Sequence, residues 1–236
     1  MLCIAHRGSP ITAQTTHPEN SLAAIDNALA LGVDAIEIDI WHLHNELWVT
    51  HDHRLGRQIT GSEQLIDLST HALEELRLAN GEPLPKLVDV LTRVGERALL
   101  NIEIKNPGCA DLLSQQLQEY RTSSGTGLEH YVVSSFNHHE LFAMLQLLPQ
   151  VKRGVLLASV PLNYAACCEA LAAYSLNTSL LGTPKELVDD AHKRGLTNWV
   201  YTANFEDEWT HLLQLGVDGV FTDRAEAFMV YRSHTG

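Results

Sequence analysis

From residue 86 onward the chain alternates short apolar runs with amphipathic stretches, and this rhythm limits the fold more than any other feature of the sequence. Candidate strands fall at 99–104, 131–135, 154–157, 176–181, 199–202 and 219–222, each bounded by turn residues. Helical periodicity occupies 87–94, 110–120, 138–148, 162–173, 184–194 and 206–215, and Gly95, Pro149, Gly195 and Gly216 stand as stops. Upstream, 2–5 and 33–40 add two more strands around a helix in which Leu22, Ile25 and Leu29 share a face, with Asn20 as its N-cap and Gly32 as its end. Eight strands alternating with helices predict an α/β fold, a (β/α)8 TIM barrel filling 1–236 as one domain, with its site at the C-terminal ends of the strands.

One interruption carries information. A further strand at 48–51 follows too soon after Ile40 for a parallel crossover, which needs about a dozen residues or more, so it must return antiparallel. That hairpin brings His51 back beside the end of the strand that holds Asp39. Residues 54–85 then break the rhythm, with Gly56, Gly61 and Gly81 and only a short helical pattern at 70–78. They read as a small inserted cap after the second strand, placed beside the site to enclose a small substrate.

The barrel rule can be checked against the residues, because polar groups should gather where strands end. Strand alternation puts Glu37 and Asp39 on one face, between Ile36, Ile38 and Ile40 on the other. Taken alone, such a pair is more often a solvated acidic face than a site. A second strand changes the balance, since Asn101-Ile102-Glu103-Ile104-Lys105 repeats the pattern. His6-Arg7 ends the first strand, Ser134-Ser135-Phe136 the fourth and Tyr201-Thr202 the seventh. Carboxylates crowded at one mouth must share a cation or repel, and hard divalent ions such as Mg2+ or Ca2+ favour oxygen ligands. His42, His44 and His53 lie at the hairpin and loop, where exposure explains them.

Composition narrows the partners. Sixteen basic against twenty-nine acidic residues give a net charge of −13, which opposes nucleic acid and anionic membranes, so an anionic substrate needs local cations. No run is long enough to span a bilayer, no signal peptide is evident, and the four cysteines lack metal or disulfide spacing, which together predict a cytoplasmic protein with reduced thiols. A homodimer is left open.

The motifs His6-Arg7-Gly8, Pro18-Glu19-Asn20-Ser21, Glu37-x-Asp39, His51-Asp52, Ile102–Lys105, Val133–Phe136 and Gly216–Asp223, in this order and spacing, resemble the glycerophosphodiester phosphodiesterase family over nearly the whole chain. The resemblance implies a metal-dependent barrel that hydrolyses glycerophosphodiesters to sn-glycerol 3-phosphate and an alcohol. It implies one divalent cation, Mg2+ or Ca2+, on Glu37, Asp39 and Glu103; an acid–base pair of His6 and His51; and phosphate contacts from Arg7 and Lys105. Phe136 and Tyr201 are expected to line the substrate pocket. Four positions depart from the family pattern: Ser21 for Thr, Asn45-Glu46 for Asp-Gly, and Tyr201 for Trp, the last adding a hydroxyl to the pocket wall. Two other classes fit parts of the sequence. An enolase-type barrel would use Lys105 to abstract a carbon-bound proton, but has no use for His6-Arg7. A silent binding protein would not need a competent side chain at every catalytic position.

Overall fold

The computed structural model describes residues 1–235. The chain begins with β1 (Leu2–Ala5), α1 (Leu22–Leu31), β2 (Ala35–Leu43), β3 (Glu46–Val49) and α2 (Thr70–Glu75). Regular alternation follows: α3 (Leu87–Val94), β4 (Leu99–Ile104), α4 (Ala110–Ser124), β5 (Tyr131–Ser135), α5 (His138–Leu147) and β6 (Lys152–Leu157). The second half adds β7 (Ser175–Ser179), α6 (Lys185–Lys193), β8 (Thr197–Tyr201), α7 (Glu206–Leu215), β9 (Gly219–Thr222) and α8 (Ala225–Thr235). Neighbouring parallel strands pair in the order β1, β2, β4, β5, β6, β7, β8, β9, and β9 returns to β1, which closes an eight-stranded TIM barrel.

Alternation along each strand divides the core in two. Ile36, Ile38 and Ile40 point outward into the cluster shared with the helices, which also takes Leu100, Ile102 and Leu113. Inside the barrel, Ile4, Ala35, Val132, Trp199 and Phe221 pack together and leave the chain solid below the mouth. Trp199 fits there because residue 219 is glycine: a Cβ at Gly219 would lie 2.9 Å from the indole Cδ1. The layer nearer the site is small and polar, with Asn101, Ser134 and Asn177 all buried.

Several element boundaries differ from those expected, each for a local reason. Ser21, not Asn20, caps α1, its hydroxyl accepting from the Ala24 N–H at 3.1 Å; Asn20 sits one residue earlier at φ 60° with its side chain on Asp39. The hairpin is tighter than 48–51 implies: β2 runs to Leu43, and His44 and Asn45 take positive φ values of 49° and 64°, the two-residue turn whose twist suits paired strands. The expected helix at 162–173 is a 3-10 segment, Tyr164–Leu171. The final helix α8 was not expected; it is tied down through Arg232, whose guanidinium pairs with Asp34, the same carboxylate that accepts the Cys3 N–H at 2.7 Å.

Residues 54–85 follow the hairpin as a small insertion. Leu65, Leu73, Leu78 and Leu84 bury Leu43 and Trp48 of the hairpin in a second hydrophobic cluster, separate from the barrel core. The insertion and the hairpin thus support each other. All four cysteines are free thiols, and among the described residues no helix is long and apolar enough to cross a membrane.

Candidate active site

The C-terminal mouth of the barrel holds a cavity of about 210 Å3 lined by His6, Arg7, Glu37, His51, Glu103, Lys105, Phe136 and Tyr201, with Asn101 and Ser134 at its floor. Of the residues singled out from sequence, only Asp39 stays behind the cavity surface, 1% exposed. Register explains the convergence. Asp39 pairs with Glu103 across β2 and β4, and the inward side chains of the two strands therefore meet at one height. The Thr50 N–H donates to the Asp39 carbonyl at 3.0 Å, which fixes the end of the hairpin and places His51 over the same spot.

Glu37, Asp39 and Glu103 each bring a carboxylate oxygen within 4.8 Å of the others. The two local cations do not serve the three evenly. Lys105 Nζ donates to Glu103 Oε1 at 2.6 Å and lies 3.3 Å from Asp39 Oδ1, while Arg7 Nε lies 3.4 Å from Asp39 Oδ2. Asp39 also accepts from the Asn20 amide at 2.9 Å. Its carboxyl is held below the usual range in spite of burial, because Lys105 and Arg7 stand beside it. Glu37 has no such partner beyond the Arg7 backbone N–H at 2.8 Å, and burial together with the Asp39 charge pushes it up to about 8. Burial and Asp39 raise Glu103 as well.

The donor set fits a hard divalent cation. Ligand oxygens at about 2.0–2.6 Å from an ion stand no more than roughly 5 Å from each other, and the observed cluster meets that limit. Glu37 Oε1 is buried and accepts no hydrogen bond, an arrangement that is unfavourable unless something positive faces it.

The two histidines stand in parallel environments. His6 Nδ1 meets Asp223 Oδ1 at 2.7 Å and His51 Nδ1 meets Asp52 Oδ1 at 2.9 Å. A carboxylate at Nδ1 selects the tautomer with its proton there and leaves Nε2 available to the cavity. Their proton affinities diverge. Burial lowers that of His6, but the Asp223 hydrogen bond and the Glu37 charge outweigh it and the pKa is raised. For His51 burial prevails, with Lys105 and Arg7 adding to it, and the pKa is lowered.

Five supporting residues carry no site role in the sequence reading, Asn20 being read only as a helix cap: Glu19, Asn20, Asp52, Asn204 and Asp223. Four of them lie inside or beside the quoted motifs, and Asp223 directly follows the last strand, where the barrel rule places site residues. Asn204 had no local signal; it is brought in by β8 to donate to Asp223 Oδ2 at 2.8 Å. The hydroxyl of Tyr201 donates to the Leu157 carbonyl at 2.8 Å, so the group that distinguishes it from Trp is taken up by backbone. Its ring meets Phe136 edge to face at 5.8 Å, making one apolar wall. No residue of 54–85 lines the cavity, and the insertion reaches the site through Arg57 alone, which binds Glu19 and Asp52.

A TIM barrel whose C-terminal mouth gathers two His–Asp pairs, a carboxylate cluster and two cations is an arrangement suited to chemistry on an anion. Comparison with known proteins gives the family. Residues 6–227 match the glycerophosphoryl diester phosphodiesterase family, and the chain belongs to it; it is a hydrolase of the phosphodiesterase class. It is 29% identical to a glycerophosphodiester phosphodiesterase of Caldanaerobacter subterraneus over 97% of this chain and 96% of that one, and 31% identical to one of Bacillus altitudinis over 93% of each. Among solved structures, a phosphodiesterase of Oleispira antarctica in complex with the product sn-glycerol-3-phosphate superposes with a TM-score of 0.86 at 23% identity, covering 99% of this chain and 97% of the other. That likeness establishes the fold.

Proposed function

We propose that the chain is a divalent-metal-dependent phosphodiesterase that converts glycerophosphodiesters to sn-glycerol 3-phosphate and an alcohol. The observation that carries this reading is the pairing, around one cavity, of a carboxylate cluster with two histidines whose proton affinities are driven apart. Glu37, Asp39 and Glu103 would hold the ion, Mg2+ or Ca2+, which when bound neutralises charge on the phosphate as a Lewis acid. Arg7 and Lys105 bind the phosphate oxygens that face them, and the Phe136–Tyr201 wall packs against the carbon skeleton of glycerol.

The chemistry then divides between the histidines. His51, neutral because of its burial, accepts the proton of the attacking hydroxyl. His6, whose hold on its proton Asp223 strengthens, donates that proton to the departing alcohol oxygen as the P–O bond breaks. Following the family resemblance, the attacking group is the substrate's own glycerol 2-hydroxyl; this forms a cyclic phosphate, and water opens it in a second step with the two roles exchanged. The small-molecule substrate, the reduced thiols and the acidic surface agree with work in the cytoplasm.

The test is a coupled assay for glycerol 3-phosphate release from glycerophosphocholine, glycerophosphoethanolamine, glycerophosphoglycerol and glycerophosphoinositol, with Mg2+, with Ca2+ and after chelation. Release that depends on metal supports the reading. Absence of release with either metal, or full activity after exhaustive chelation, overturns it. An enolase-type or silent barrel releases no glycerol 3-phosphate under any of these conditions.

A further inference from the structure

We infer that Arg57, an arginine of the insertion that touches neither the cavity nor the carboxylate cluster, is a positioning residue that locks the phosphate-binding and acid–base halves of the site into one unit; this rests on the function proposed above. Its guanidinium spans two carboxylates. Nε donates to Asp52 Oδ2 at 2.7 Å, Nη1 donates to Glu19 Oε2 at 2.9 Å, and Nη2 donates to Glu19 Oε1. Each carboxylate has a second task on its other side. Asp52 Oδ1 holds His51 Nδ1 at 2.9 Å, and Glu19 Oε1 accepts from Arg7 Nη1 at 3.0 Å. The chain of contacts is therefore Arg7, Glu19, Arg57, Asp52, His51, and only its middle member comes from residues 54–85.

The geometry needs arginine. A planar guanidinium can present Nε–H and two terminal N–H groups in fixed directions, whereas an ammonium is a single point that cannot span both carboxylates with the same bonds. Glu19 is the junction, since it would otherwise satisfy only Arg7 while most of its charge lay buried. With Arg57 in place its carboxylate is held by two arginines and its position is fixed by both.

The loop that carries Arg57 is built to be stiff. The Leu55 N–H donates to the Glu63 carbonyl at 2.9 Å, Gly56 N–H to the Ile59 carbonyl at 2.8 Å, and Leu65 N–H to the His53 carbonyl at 2.9 Å. Leu55 and Ile59 anchor it in the second hydrophobic cluster. At Gly61 φ is 147° and a Cβ would stand 2.6 Å from Leu55 Cδ1, so the loop closes this tightly only with glycine there. A rigid loop, pinned by apolar contacts to the hairpin that ends in His51, presents one cation at a fixed point. The insertion thereby acts on the reaction from outside the cavity.

The experiment compares Arg57→Ala, Arg57→Lys, Asp52→Asn and the double variant Asp52→Asn/Arg57→Ala on a glycerophosphodiester and on bis(p-nitrophenyl) phosphate, with thermal melting as the check on folding. Arg57→Ala should lower kcat/KM by about 10- to 100-fold, the usual weight of a residue that orients a catalytic group, with both kcat and KM affected because both halves of the site loosen. Arg57→Lys should recover less than a third of the loss, and the double variant should lose far less than the product of the single losses. A second reading needs no turnover: long-range 1H–15N spectra, assigned with His51→Gln, should show His51 in the Nδ1–H form in the native protein and a tautomer mixture in Arg57→Ala. Activity within twofold of native in Arg57→Ala, full recovery by lysine, multiplying losses or an unchanged His51 tautomer would each overturn the inference. A native enzyme inactive on glycerophosphodiesters refutes the function proposed above, while the spectra and the aryl diester still decide the role of Arg57.

Discussion

Asp223→Asn removes one charge and leaves the shape of the His6 pocket intact, and the structure indicates which way the new amide must turn. Asn204 is pinned, because its Oδ1 accepts from Thr222 Oγ1 at 3.0 Å and from the Asp223 N–H at 2.8 Å. Its amide nitrogen must therefore keep donating toward the position of Asp223 Oδ2, 2.8 Å away. An asparagine at 223 answers with its carbonyl oxygen there, and its NH2 group is turned toward His6 Nδ1. A donor at Nδ1 forces the imidazole proton onto Nε2, the neutral form, which is a very weak acid. Losing a charge-assisted hydrogen bond, about 1.5–3 kcal/mol, lowers the His6 pKa by roughly one to two units at 1.36 kcal/mol per unit. The raised pKa of His6 in the native protein has Asp223 among its causes, so the direction is downward. The general acid must be protonated, so the alkaline limb of the kcat profile moves to lower pH by that amount. At neutral pH kcat should therefore fall by about one to two orders of magnitude. Asp223→Ala, which leaves Nδ1 free to choose, should be less damaging than the amide. The assay is kcat against pH on a glycerophosphodiester with saturating metal. Asp223→Asn retaining more than a tenth of native kcat, or proving more active than Asp223→Ala, would refute the reasoning.

Other outcomes follow from the same site. His6→Ala and His51→Ala should each reduce kcat by about two to four orders of magnitude while the circular dichroism spectrum stays native; a loss below tenfold in either variant removes that histidine from the acid–base pair. Glu37, raised to about 8 by burial and Asp39, binds a proton in the folded metal-free protein that the unfolded chain has released above its ordinary value. Its stabilising contribution is complete below the ordinary carboxylate range and is lost as pH rises through about 8, so metal-free Tm should fall across that window and saturating Mg2+ or Ca2+ should remove the fall; parallel melting curves with and without metal would count against the assigned cluster. If the glycerol 2-hydroxyl is the nucleophile, a 2-deoxy analogue should not turn over, and normal hydrolysis of that analogue means that water attacks directly. Leu73→Ala, a truncation at a fully buried position of the second cluster, should destabilise the insertion and hairpin by about 2–5 kcal/mol; hydrogen exchange checks it, since exchange should rise there while the barrel strands stay protected.

Much of this protein follows from short-range order in the sequence. Strand periodicity put Glu37, Asp39 and Glu103 on inward faces, and eight strands alternating with helices led to a barrel whose mouth must receive them. The brief link after Ile40 forced an antiparallel return and so brought His51 to Asp39. These features are local: a period of two, a crossover length and a turn are properties of a few consecutive residues. What only the tertiary structure decided lies between segments distant along the chain. Asp223 reaches His6 across 217 positions because β9 closes the barrel against β1, and no pattern in either strand specifies that hydrogen bond. Arg57 reaches Glu19 across 38 positions, from a segment whose sequence suggests only a loop. The direction of each histidine's proton affinity was likewise unreadable, because it is set by burial and by charges from several strands acting together. Residue types that can do the chemistry are written along the chain, but their charge states exist only once the barrel has shut out water and fixed their neighbours.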